Sequence, residues 1–150
     1  MKVLLTGSSG QLGKEITFCK PKNVNLISPN KLKLNLENPD HCKDFITFEK
    51  PDWVINCGAY TNVDNAEINK EQVFKINSKA PDIFSKELEK NGGKLLQIST
   101  DYIFDGNGNT PYNINANSNP QNIYGKSKDL AEKSIRRNFS HQNKFIILRT

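Results

Sequence analysis

Tyr124 and Lys128 stand four residues apart in Tyr124-Gly125-Lys126-Ser127-Lys128. On a helix that spacing puts both side chains on one face. An ammonium beside a phenol favours the phenolate. The pair therefore predicts a Tyr124 pKa lowered toward the working range, and a side chain able to give or take a proton. The spacing alone also fits an ordinary surface pair. It gains chemical meaning from Ser99-Thr100-Asp101, which closes an apolar run earlier in the chain. The Thr100 hydroxyl can hydrogen-bond a substrate oxygen while Tyr124 delivers a proton, and Lys128 can also hold the ribose of a nicotinamide. These three are the candidate catalytic residues.

The element that would bring a cofactor to them is the opening one. Lys2-Val3-Leu4-Leu5-Thr6 is a short apolar run, and Gly7-Ser8-Ser9-Gly10-Gln11-Leu12-Gly13 follows with glycines three apart. A strand, a glycine turn and a helix N-terminus together bind anions. Gly7 permits the turn, Gly10 lets backbone approach a pyrophosphate, and Gly13 lets the helix pack close to the sheet. The spacing is G-x-x-G-x-x-G, not the standard G-x-G-x-x-G. A glycine-rich turn without a ligand is the alternative.

The remaining elements alternate. Val24 to Ile27 reads as a second strand, stopped by Ser28-Pro29-Asn30. An acid closing that strand would accept from the ribose 2′-hydroxyl and favour NAD; none is present, and Lys31 and Lys33 follow, so NADP is permitted. Leu32 to Leu36 alternates like a short third strand. Asn38-Pro39 reads as a cap and first turn of a helix to about Phe48, with Cys42, Phe45 and Ile46 on its apolar side. Trp53 to Cys57 reads as a strand buried on both faces, ending in a small polar stretch at the ligand-binding edge. Glu71 to Lys90 has helical spacing, with Pro81 marking a kink or a start and Asn91-Gly92-Gly93 a cap. Lys94 to Ser99 is a strand, Asp105 to Asn122 a long loop of the kind that tends to be functional, Ile123 to about Asn138 a helix, and Lys144 to Arg149 a last strand. The alternation predicts an α/β fold: a Rossmann-type, doubly wound parallel sheet with helices on both faces.

Composition narrows the class. A chain of 150 residues fits one domain able to bury a core. The net charge of +5 raises the question of nucleic acid, but the basic residues are scattered, with no dense run beyond Arg136-Arg137. The surplus reads as a lysine-rich surface that attracts an anionic substrate. Cys19, Cys42 and Cys57 are far apart and odd in number, which argues against a disulfide framework or a metal site and fits a reducing cytoplasm. No signal peptide and no membrane-spanning run is visible. Thr150 comes immediately after a strand, so the natural protein is expected to continue.

With these pieces assembled, the chain resembles the extended type of the short-chain dehydrogenase/reductase superfamily, and within it the dTDP-4-dehydrorhamnose reductases. The matching segments include the glycine turn, Pro51 to Asn56, Ala59 to Glu67, Ile76-Asn77, Ser99 to Gly106, Pro111-Tyr112, and Tyr124 to Lys128 with Glu132. The strings S-T-D-Y-x-F-D-G and V-D-x-A-E are far more specific than the glycines. The resemblance implies reduction of the 4-keto group of dTDP-4-dehydro-L-rhamnose to dTDP-L-rhamnose, a precursor of cell-surface polysaccharide, with NADPH or NADH as cofactor. It implies Tyr124 as proton donor, Lys128 as its tuner and ribose ligand, and Thr100 as the group orienting the keto oxygen. Gly10, Gln11 and Leu12 would line the pyrophosphate, and Asn35 and Leu36 would sit at the adenine. Ala59, Tyr60 and Thr61 would lie near the ribose and nicotinamide, and Thr100 and Asp101 would touch the sugar. It implies no metal in the site, and it leaves a homodimer of the full-length protein open.

There are departures from the pattern. Asn35 stands where the family usually has Asp, Cys57 and Gly58 where it has alanines, Ile114 and Ala116 where it has acids, and Ala131 where it has glycine. The family also carries a C-terminal region that forms most of the sugar-nucleotide site. Residues 1–150 are therefore expected to be the cofactor-binding domain, binding nucleotide and turning over poorly or not at all. Two rival readings stay open. One is another extended-type sugar-nucleotide reductase, epimerase or dehydratase. The other is a non-catalytic regulator like the regulatory subunit of methionine adenosyltransferase.

Overall fold

The computed structural model describes residues 1–150. Five strands form one parallel sheet: β1 (Lys2–Thr6), β2 (Asn25–Ile27), β3 (Trp53–Asn56), β4 (Lys94–Ser99) and β5 (Phe145–Arg149), in the order β2-β1-β3-β4-β5. The helices are α1 (Gln11–Cys19), α2 (Pro39–Glu49), α3 (Val63–Ala66), α4 (Lys70–Phe74), α5 (Ala80–Asn91) and α6 (Ile123–Asn138). From β1 the chain steps one way to β2, and from β2 onward it steps back across the sheet. Right-handed crossovers therefore put α1 on one face and α2, α5 and α6 on the other. This is the doubly wound arrangement the sequence predicts.

The core lies under the three-helix face. Leu4, Val54 and Leu95 from the sheet meet Cys42 and Ile46 of α2, Phe84 and Leu88 of α5, and Ile135 of α6, all buried. The opposite face is more open at the β5 edge, where Ile146 and Leu148 are each 48% exposed. At the carboxyl ends of the strands the packing turns polar. Thr6, Asn56 and Gln97 are in register on β1, β3 and β4. The Thr6 hydroxyl donates to Asn56 Oδ1, Asn56 Nδ2 donates to Gln97 Oε1 at 2.7 Å, and Gln97 Nε2 donates to the Ile98 carbonyl at 2.8 Å. No buried side-chain polar atom is left without a partner. Such a chain of amides tolerates burial only when complete, and it locks three strands to each other at the edge where the site lies.

One expectation about the elements needs correction. Leu32 to Leu36 is not a strand. The Asn30 carbonyl accepts from the backbone amides of Lys33 and Leu34, and its side chain also accepts from Lys33, which curls the segment into turns. Leu34 is buried and Leu36 packs on the core, while Leu32 is exposed, so the alternation came from a coil with two inward leucines. The helical reading from residue 71 holds, with Pro81 at the start of α5 as expected, and a π-helical turn at Lys75–Lys79 joins α4 to α5. Pro81 explains the widening: it has no amide to give the carbonyl four residues back, and its ring would strike that carbonyl. The short helix α3, capped by the Asn62 side chain accepting from the Asn65 amide, was not expected.

Candidate functional site

A cleft of about 970 Å3 runs along the carboxyl ends of β1, β3 and β4. Its floor is the first turn. Gly7 has φ +68°, a conformation open to glycine, and the Gly10 amide closes the turn onto the Gly7 carbonyl at 3.0 Å. A Cβ on Gly13 would collide with the Gly7 carbonyl oxygen and lie 2.6 Å from Ser8 Cα, so α1 starts as close to the turn as backbone allows. The α1 N-terminus has no side-chain cap, which leaves its amides free for an anion. Of the sequence-predicted cofactor residues, Gly7, Gly10, Gln11, Leu12, Gly13, Asn35, Leu36, Ala59, Thr61, Tyr124 and Lys128 line the cleft. Tyr60 does not. It is half-buried, and its hydroxyl accepts from Asn69 Nδ2 at 3.2 Å.

The tyrosine and lysine enter from α6. Asn122 caps that helix, accepting from the Gly125 amide at 2.7 Å, and a Glu67 oxygen accepts from the Ile123 amide at 2.7 Å. A carboxylate at a helix N-terminus also opposes the dipole favourably. Glu67 thus anchors the turn that carries Tyr124. It is the last residue of the V-D-x-A-E string, and nothing in its local sequence announced that role. Asn77, in the π-helical turn, is a second residue that sequence reasoning left without a task. It accepts from the Tyr60 amide at 2.8 Å, donates to the Tyr60 carbonyl at 3.0 Å, and donates to Ser127 Oγ at 3.0 Å. One buried amide therefore ties the loop after β3 to α6 between Tyr124 and Lys128.

Thr100 closes the third side. It lies just outside the cleft wall, where its hydroxyl accepts from the Tyr102 amide at 3.2 Å and caps the single 3-10 turn Asp101–Ile103. Asp101 is exposed and shares that position. The turn packs against α6 because residue 125 is glycine; a Cβ there would strike the Tyr102 carbonyl oxygen. The Tyr102 ring meets the Tyr124 ring edge-on at 5.7 Å.

The electrostatics differ from the sequence expectation. Burial raises the Tyr124 phenol above its ordinary value, hydrogen bonding from Thr100 pulls it back, and Asp101 pushes it up again. Lys128 does not lower it. The Lys128 ammonium donates to the Ile98 carbonyl at 2.6 Å, and burial brings its own pKa down to about 8, against the charges of Glu132 and Cys57. The phenol is thus held protonated, a donor rather than a base. Behind it, Glu132 takes hydrogen bonds from Ser99 Oγ at 2.6 Å and from Arg149 at 2.7 and 3.0 Å. Arg149 also donates to the Ile114 carbonyl at 2.9 Å and lies over the Phe104 ring, so the long loop is strapped to the sheet end.

Comparison with known proteins agrees with the fold. The chain is 35% identical over 136 residues to the spore coat polysaccharide biosynthesis protein SpsK of Bacillus subtilis, covering 90% of this chain and 48% of that protein. It superimposes on a dTDP-4-dehydrorhamnose reductase of Clostridium acetobutylicum with a TM-score of 0.92 at 37% identity, covering 99% of this chain and 52% of that one. The corresponding enzyme of Bacillus anthracis, solved in complex with NADP, gives a TM-score of 0.91 at 32% identity, with 99% and 52% covered. The chain spans about half the length of these relatives. The model of the RmlD substrate binding domain matches residues 1–150, and the chain therefore belongs to that family.

Proposed function

We propose that residues 1–150 form the NAD(P)-binding domain of a reductase acting on the 4-keto group of dTDP-4-dehydro-L-rhamnose. The observation that carries the reading is that Tyr124 and Lys128 line a cleft floored by the first glycine turn, with Thr100 beside Tyr124. The residues present fit a dinucleotide: uncapped α1 amides would take the pyrophosphate, and Lys128, buried at the cleft, would hold the nicotinamide ribose.

When bound, a reduced nicotinamide supplies the hydride that adds to the carbonyl carbon. Tyr124, protonated by virtue of its burial, donates its proton to the carbonyl oxygen as the alkoxide develops. Thr100 donates a hydrogen bond to the same oxygen and fixes its direction. Lys128 uses one of its three protons on Ile98 and has two for ribose hydroxyls. The nucleotide-sugar site is completed by the part of the relatives that this chain does not span. A cytoplasmic setting fits three free cysteines and a nucleotide-linked substrate. No helix is long and apolar enough to cross a membrane. Dimerisation of the full-length protein belongs to the same reading, and light scattering would check it.

The test is NADPH oxidation by the full-length protein with a dTDP-4-ketosugar, beside NADPH binding to residues 1–150. Turnover by the full-length protein, abolished in Tyr124→Phe with cofactor binding kept, supports the reductase. Binding without turnover in the full-length protein supports the non-catalytic regulator. Ketosugar reduction by residues 1–150 alone would overturn the division of labour.

A further inference from the structure

The end of the cleft farthest from Tyr124 lies past β2, where a dinucleotide held by the first turn would place its adenosine. No acid closes β2, yet the turns after it bring one to the same rim. Glu37, ten residues past Ile27, lines the cleft beside Lys31. The Lys31 ammonium and a Glu37 oxygen are 2.6 Å apart. We propose that this pair sets how far the chain discriminates between a 2′-phosphorylated and an unphosphorylated dinucleotide, with Lys31 the cation offered to the phosphate and Glu37 the anion that restrains it. The inference rests on the dinucleotide reading of the cleft.

The two partners are built differently. Glu37 is held in place: its amide donates to Asn35 Oδ1 at 3.0 Å, and its side chain is 27% exposed. Hydrogen bonds from Lys31 and then Gln72 keep its carboxyl below its usual range, so it is charged at neutral pH. Lys31 is a flexible arm, its side chain 71% exposed. A pair this exposed is weak, and a doubly charged phosphate can draw the ammonium away. The carboxylate left behind then opposes the phosphate, while toward an unphosphorylated ribose it is a ready acceptor. The two residues pull selectivity in opposite directions, so a chain carrying both accepts both cofactors with modest preference.

The experiment measures Kd for NADPH and for NADH by nicotinamide fluorescence on residues 1–150, in the wild type, Glu37→Gln and Lys31→Gln. Glu37→Gln is expected to tighten NADPH by about three- to tenfold and to leave NADH within about twofold. Lys31→Gln is expected to weaken NADPH by a similar factor with NADH unchanged. A ratio of the two constants that stays within about twofold of wild type in both variants overturns the proposal while leaving the dinucleotide site intact. A wild type that takes up neither dinucleotide overturns the site reading and this inference together.

Discussion

Lys128 Nζ donates to the main-chain carbonyl of Ile98 across 2.6 Å, one residue before β4 ends and two before Thr100. The lysine is therefore anchored to the sheet and not to the phenol one helical turn away. Its contribution to the site is a fixed position for a cation under the cleft, paid for in solvation, since burial holds its pKa at about 8.

Replacing that cation should stabilise the fold. In the native state the Lys128 pKa lies below its unfolded value of 10.5, so the unfolded chain binds more protons between about pH 8 and 10.5. The site's penalty is full below pH 8 and fades as pH rises toward 10.5. Lys128→Met keeps the packing, and the Ile98 carbonyl retains Gln97 as a donor. Urea denaturation should show the variant about 1–3 kcal/mol more stable at pH 7, with the gain shrinking by pH 10. A less stable variant at pH 7 would contradict this account.

Glu132 and Arg149 form the structural counterpart. Burial pushes the Glu132 carboxyl up, but hydrogen bonds from Arg149 and Ser99 and the charges of Arg149 and Arg136 together outweigh it and hold the carboxyl below its usual range. Its stabilisation is full above about pH 4.5 and lost as pH falls through the lowered native value. Glu132→Ala leaves Arg149 without its carboxylate and should cost about 3 kcal/mol at pH 7, the cost shrinking as pH falls below about 4.5. Hydrogen exchange should also show the loop around Ile114 loosened, because Arg149 is what holds that carbonyl.

The four tyrosines offer a direct reading of the phenol. Because burial raises Tyr124, its native form prefers the proton, and its contribution to stability is lost as pH rises past its ordinary value of 10.0. An ultraviolet titration should show one tyrosine ionising above that value, absent in Tyr124→Phe. A titration with that transition below pH 9 in the wild type would mean that Lys128 tunes the phenol after all.

Gly125→Ala tests how the threonine is held. The added methyl meets the Tyr102 carbonyl oxygen, which is backbone and cannot swing aside, so the 3-10 turn must move off α6. A loss of about 1–3 kcal/mol in stability is expected. In full-length protein, turnover should fall well beyond any change in NADPH affinity. Equal losses in both would show the defect to be general.

The strand-turn-helix at the N-terminus, the parallel order of elements and the Tyr124–Lys128 face were legible in the sequence, because each follows from local periods, glycine positions and short spacings. The same local reasoning misjudged Leu32 to Leu36, where Asn30 bonded the backbone before a sheet partner could. It also misjudged the tyrosine, because a spacing along a helix does not say where a long lysine side chain will point. That was decided by the Ile98 carbonyl, thirty residues away in sequence. Glu67 on the Ile123 amide and Asn77 across Tyr60 and Ser127 likewise exist only once distant segments are brought together. Period and propensity act within a turn or two of chain. The protonation and aim of a buried group depend on what the fold packs around it, which no local pattern encodes.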